Sequence, residues 1–269
     1  MQTIRKAAVA GQFYPDSTND LRREITTFLN QALADDRTRE KPATLQPKAI
    51  IVPHAGYMYS GSTAADGFSH LFPFKDKIKR VVLLGPSHRV GFTGIASSSA
   101  TFFQTPLGDI PLDQAANKQL LSLHQVHEID QAHEFEHSLE VQLPFLQALL
   151  SDFKLIPLVV GDADSETVSQ VLEELWGNEE TLFVISSDLS HYLDYQSAIQ
   201  QDASTCRAIE SCSPESIKDE DACGRNPIKG LLVSARKHKL SIKTVTLRNS
   251  GDTAGDKQRV VGYGAWVLC

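Results

Sequence analysis

Three short apolar runs each lead into a histidine, and this pattern limits the folds open to the chain more than any other feature. Ala49-Ile50-Ile51-Val52-Pro53 leads into His54, and Val81-Val82-Leu83-Leu84-Gly85-Pro86-Ser87 into His88. Leu182-Phe183-Val184-Ile185 leads into Ser186, Ser187, Asp188, Ser190 and His191. Runs this short and continuously apolar suit strands covered on both faces, as in a parallel sheet flanked by helices. Parallel strands end on one edge, and open α/β sheets place their ligands there. One histidine at a strand end is usually structural. Three of them, separated by helix-like segments, should meet on the same side of one sheet.

The rest of the chain alternates helix and strand. From Ser17, the residues Leu21, Ile25, Phe28, Leu29, Ala32 and Leu33 form one helical stripe. A polar loop is expected over 36–46, a short helix near 62–71, and one or two edge strands within 93–111. Helices are expected at 112–124 and 138–151, where Pro144 either lies in the first turns or kinks the helix. A strand at 154–160 and a helix at 164–176 precede the Ser186 strand, and helices near 195–211 and 226–238 follow it. Strands at 241–248 and 259–268 flank a glycine-rich loop and would pair antiparallel as neighbours. The expected fold class is α/β: a three-layer α/β/α architecture with a mostly parallel central sheet. With no Pro/Gly/Ser linker or repeat to divide it, one domain over residues 1–269 is expected.

Bulk properties narrow the partners. A formal charge of −7 argues against nucleic acid, which needs clustered Lys and Arg. No run approaches the roughly 20 apolar residues that span a bilayer, so no membrane partner is expected. Cys206, Cys212, Cys223 and Cys269 show neither CxxC spacing nor disulfide-scaffold density. A reducing cytoplasm is expected, and Cys206, Cys212 and Cys223 read as core or surface thiols.

The chemistry suggested by the strand ends is metal binding. Imidazoles suit iron, zinc and copper, and two histidines with one carboxylate form the facial triad of non-haem Fe(II) oxygenases. His54 and His88 are the preferred ligands, since each directly ends a strand. The carboxylate could be Asp252, Asp188, Asp256 or Glu140. Asp252 is favoured, because its glycine loop lets backbone approach a ligand. His191, three residues beyond Asp188, could act as a general base tuned by it. His133-Glu134-Phe135-Glu136-His137 matches HExxH literally, but the helical stripe starts only at Leu139, so a chance match is expected. Glu136, His137 and Glu140 could still line a site from a helix start. Tyr57 and Tyr59 could contact substrate, although packing beside their turn is the plainer role.

Several of these segments together resemble the Memo family, also called AmmeMemoRadiSam system protein B. They are Pro53-His54-Ala55-Gly56-Tyr57, Gly85-Pro86-Ser87-His88, Glu136-His137-Ser138-Leu139-Glu140-Val141-Gln142-Leu143-Pro144-Phe145, Ser186-Ser187-Asp188-Leu189-Ser190-His191 and Asn249-Ser250-Gly251-Asp252. The similarity runs from about Arg5 to Leu268. It implies a fold shared with class III extradiol (LigB-like) non-haem iron dioxygenases. It also implies His54 and His88 as metal ligands, with Asp188, His191 and His137 as catalytic residues around the same pocket. Tyr57 and Glu140 then become substrate contacts. The animal Memo protein has a cysteine as third ligand; the segment matched to it here, Asn249 to Asp252, has none, so Asp252 is expected to complete a carboxylate triad.

The implied cofactor is a divalent metal, Fe(II) first, with zinc or copper as alternatives. The leading function is a metal-dependent oxidoreductase. The other readings are a peptide- or protein-binding module reusing the pocket and a zinc hydrolase. The family's genomic association with radical-SAM and AMMECR1-type proteins implies a shared pathway acting on an unidentified small molecule or peptide.

Overall fold

The computed structural model describes residues 2–34 and 45–269. The polar loop expected over 36–46 therefore falls, as far as residue 44, outside the described residues.

Four strands form the parallel heart of the sheet, side by side in the order Ala49–Val52, Thr181–Ser186, Arg80–Pro86 and Lys154–Val160. Their register sets Val52 beside Ser186, Ile185 beside Leu84, and Pro86 beside Val160, so their carboxyl ends share one edge. Antiparallel strands close both flanks. Ile95–Ser97 pairs with Lys154–Val160, while Val260–Leu268 pairs with Ala49–Val52 and with Ile242–Asn249. A separate small sheet joins Ile4–Arg5, Phe102–Thr105 and Gly108–Pro111.

Successive side chains of each core strand point to opposite faces, and two buried clusters record it. Ile50, Val52, Val81, Leu83, Val159, Leu182 and Val184 join one cluster with Leu21, Ile25, Phe68 and Phe145. Ala49, Ile51, Val82, Leu84, Leu158, Phe183 and Ile185 join the other with Val168, Leu172, Ile209 and Leu231. Both faces are therefore dry, which is why these strands read as unbroken apolar runs. The architecture is the expected three-layer α/β/α with a mostly parallel centre.

Some local expectations change. The helix expected at 138–151 is two pieces, His137–Glu140 and Leu143–Leu149, with Pro144 in the first turn of the second, where a missing N–H costs nothing. The 93–111 region holds three short strands. HExxH does not lie on one helix. Asp130–Glu134 ends within it, after His133 and Glu134, and Glu136 adopts an extended ψ of 128° before the next helix starts at His137. Two glycines permit close approach at the working edge. A Cβ on Gly85 would lie 2.7 Å from Ser138 Oγ, and one on Gly224 would lie 2.6 Å from Ser187 Cβ.

Candidate metal centre

His54 and His88 leave adjacent regions of the parallel edge and turn toward each other, with ring centroids 5.2 Å apart. His137, at the start of its short helix, completes a cluster of imidazoles. Its ring lies 5.4 Å from that of His54 and 4.5 Å from that of His88, and Phe13 packs against its ring at 4.7 Å. The fourth member comes from far along the chain. Cys223 Sγ lies 3.3 Å from His54 Nε2. One donor atom from each of His54, His88 and Cys223 falls within 4.8 Å of the other two, and a second such group joins His88, Glu136 and His137.

Carboxylates brace the histidines from behind. The backbone N–H groups of His54 and Ala55 donate to Asp188 Oδ1 at 2.7 and 3.3 Å. Glu136 binds His88 in two places, at the backbone N–H (2.6 Å) and at ring Nδ1 (2.9 Å).

Burial dominates the electrostatics. It pushes the His54 imidazole down to about 3, and His88 beside it acts in the same sense. His137 is pushed down to about 4 by burial and then by His54. Burial and the nearby Asp188 push the Cys223 thiol up to about 12. Asp188 is raised by burial. Glu136 goes the other way: burial favours its neutral form, but hydrogen bonds and charge from His88, with the Ser138 N–H, hold it at about 2. The cluster thus offers nitrogen and sulfur donors, with His54 buried, Cys223 half-buried and His88 open to solvent. Such donors fit a transition-metal cation, which would convert the thiol to thiolate; they do not fit the oxygen cages of Mg²⁺ or Ca²⁺.

Four sequence expectations need correcting. Asp252 is not part of the centre. Its loop closes on itself, and its exposed carboxylate accepts from the Asn249 N–H at 3.0 Å and the Tyr195 hydroxyl at 2.6 Å. Asp256, also exposed, accepts from the Gln258 N–H. Glu140 is buried and its carboxylate is taken up by the Arg5 guanidinium, the Tyr14 hydroxyl and the N–H groups of Ala8 and Val9. Tyr57 is buried as well, its hydroxyl donating to Val141 O at 2.8 Å.

Asp188 sits behind His54. His191 is exposed, in a short strand whose register sets it beside Val261, and its charge acts on both His54 and Asp188. A cleft of about 330 Å³ opens beside Cys223, lined also by Ser87, Phe92, Asn226 and Arg225.

Cys223 was missed by sequence reasoning. Its one signal was Cys223-Gly224 immediately before the helix Arg225–His238, a helix start at the carboxyl edge of the sheet.

The sequence model of the Memo-like protein family matches residues 5–267. This chain belongs to the Memo family. MEMO1 family proteins of Sulfolobus acidocaldarius and Aquifex aeolicus are each 35% identical to it, with 97% of both chains covered in each case. Among solved structures, an uncharacterized protein from Escherichia coli K12 shares the fold at a TM-score of 0.52 and 13% identity, covering 81% of this chain and 99% of its own. Among the described residues, none from 249–252 joins the metal-compatible groups of this Memo protein. The thiol of Cys223 reaches His54 from another loop, at 3.3 Å from Nε2.

Proposed function

We propose that this Memo protein is a metal-dependent oxidoreductase of extradiol-dioxygenase ancestry, holding Fe(II) through His54, His88 and Cys223. The observation that carries this reading is the meeting of two imidazoles and one thiol within 4.8 Å at the carboxyl edge of a parallel sheet. The bound ion would supply a redox-active Lewis acid with open positions for a chelating substrate and dioxygen.

The remaining chemistry belongs to the protein. Asp188 fixes the turn that aims His54. His137, kept neutral by burial, is placed to take a proton from a bound substrate. His191, exposed in its short strand, would then exchange protons with water. The cleft beside Cys223 gives the substrate its approach, and the dry walls around His54 exclude bulk water.

Elemental analysis of protein purified without chelators, followed by anaerobic Fe(II) loading, tests the reading. Near-stoichiometric iron is expected, lost in His54→Ala, His88→Ala and Cys223→Ser. Normal uptake in all three variants ends the proposal. Tight zinc in place of iron would point to a hydrolase working through zinc-bound water. Metal-free protein that still binds a peptide or protein partner would point to the binding-module reading.

A further inference from the structure

An imidazole can bind a metal only through a nitrogen that carries no proton, so the ring must keep its proton on the other nitrogen. The hydrogen bonds of this centre fix that choice for both histidines, by two different means.

For His54 the proton is placed by elimination. Ser186 Oγ has a single hydrogen, and it donates to Ser138 O at 2.6 Å, an atom that can only accept. Gln142 Nε2 donates to Pro53 O and to Ser186 Oγ, each at 2.8 Å. What Ser186 can still offer is a lone pair, so His54 Nδ1, 2.9 Å away, must be the donor. Its Nε2 is left bare, and that is the nitrogen facing Cys223 Sγ.

For His88 a carboxylate does the same work. Glu136 is 1% exposed and is met by Ser138 N–H and His88 Nδ1 at Oε1 (2.8 and 2.9 Å) and by His88 backbone N–H at Oε2 (2.6 Å), with His137 Nδ1 farther off at 3.4 Å from Oε1. A carboxylate offers only acceptor sites, so His88 Nδ1 carries the proton and Nε2 is bare. The backbone at Glu136 is itself clamped, its carbonyl accepting from Arg5 Nη2 at 2.7 Å. With its oxygens committed to three donors, Glu136 is in no position to ligate the ion, although it lies within reach of His88 and His137.

We propose that Glu136 is the positioning residue of the centre, holding His88 in the Nδ1–H form so that its bare Nε2 completes the donor set; this rests on the metal reading above. Carboxylates behind ligating histidines fix the ring and raise its basicity, and their loss weakens metal binding by roughly 10- to 100-fold. Glu136→Gln is the diagnostic change. An amide has one donor side, and among three N–H groups that side must face one of them. Turned toward the His88 ring, it drives the proton to Nε2 and blocks the ligand atom. Turned toward the His88 backbone, it breaks the bond that sets the loop.

The test has two parts. Long-range 1H–15N NMR on the metal-free wild-type protein should show His88 protonated on Nδ1 with a bare Nε2. Chelator competition with Fe(II), under anaerobic conditions, should show a loss of roughly 10- to 100-fold in Glu136→Gln and substantial recovery in Glu136→Asp. His88 protonated on Nε2 in the wild type overturns the proposal. So does a folded Glu136→Gln with unchanged affinity and tautomer. Should Glu136→Gln fail to fold, the wild-type spectrum decides alone. A wild-type spectrum of the expected form, in a protein that takes up no metal, supports the positioning by Glu136 and defeats the metal reading.

Discussion

Glu136 and Glu140 stand four residues apart, are equally buried at 1% exposure, and do opposite things. All the side-chain and backbone donors to Glu140 come from the N-terminal segment: Arg5, Ala8, Val9 and Tyr14. It fastens residues 5–14 to the body of the protein. The donors to Glu136 come from His88 and Ser138, so it fixes a ring that has another face to offer. Burial and saturation of a carboxylate therefore do not reveal its function. The nature of its donors does: fixed cations and amides mark a weld, whereas imidazoles with a free nitrogen mark a site.

Removing Glu140 should give the largest effect on folding. Glu140→Ala leaves the Arg5 guanidinium, only 6% exposed in its side chain, without its counter-charge. Breaking a buried pair from one side costs about 3–5 kcal/mol, which urea unfolding of the metal-free protein would read directly. The folded fraction should bind Fe(II) as the wild type does, in contrast to Glu136→Gln. A Glu140→Ala protein of normal stability, or one as weak in metal binding as Glu136→Gln, would erase the distinction between the two carboxylates.

Acid should weaken the fold next, and two histidines separate the contributions. His133 stands outside the metal-compatible groups, its Nε2 donating to Ala96 O at 3.1 Å, and burial pushes it from 6.5 to about 4. His137, inside the centre, is pushed from 6.5 to about 4 as well, again by burial first. Groups held below their unfolded values take up protons on unfolding. Stability therefore rises with pH across the window from about 4 to 6.5 and is lost on acidification. His54 and Glu136 extend the loss downward. Asp202 opposes it, because burial raises its carboxyl from 3.8 to about 6 and the folded form holds the extra proton, and Asp188 and Glu24, also raised by burial, act in the same sense. The lowered histidines, His54, His70, His133 and His137, outnumber these three carboxyls. Urea midpoints should fall between pH 7 and pH 5, with His133 alone contributing roughly 2 kcal/mol at the lower pH. His133→Asn should flatten the slope without touching Fe(II) affinity. A midpoint independent of pH would show that these rings are hydrated in the folded protein.

Much of this was legible before any coordinates. The sheet could be read because its strands are buried on both faces and their apolar runs are unbroken, and His54 and His88 followed from lying at the ends of those runs. Cys223 could not be read that way. It is delivered by the loop before Arg225–His238, 35 residues beyond Asp188, and nothing local distinguishes a thiol in a site from one in a core. Tyr57 and Glu140 misled for the complementary reason. They lie within segments that carry the clustered residues His54 and His137, but a helix and an extended turn send neighbouring side chains in different directions. The strands His191–Leu193 and Val126–Glu128 are three residues each, too short to show any period.

The smallest expected effect is at Asp252, and it separates a sulfur-containing centre from a carboxylate triad. Its side chain closes its own turn by accepting from the Asn249 N–H, and it accepts the Tyr195 hydroxyl at the surface. Losing a capping carboxylate costs at most about 1 kcal/mol here, since the group is exposed. Asp252→Ala should therefore keep wild-type Fe(II) affinity in the same chelator competition in which Cys223→Ser loses it. The opposite outcome, iron lost with Asp252 and kept without Cys223, would mean that the 249–252 loop swings onto the histidines when metal binds. The donor set would then be two imidazoles and a carboxylate, and the thiol a bystander 3.3 Å from His54.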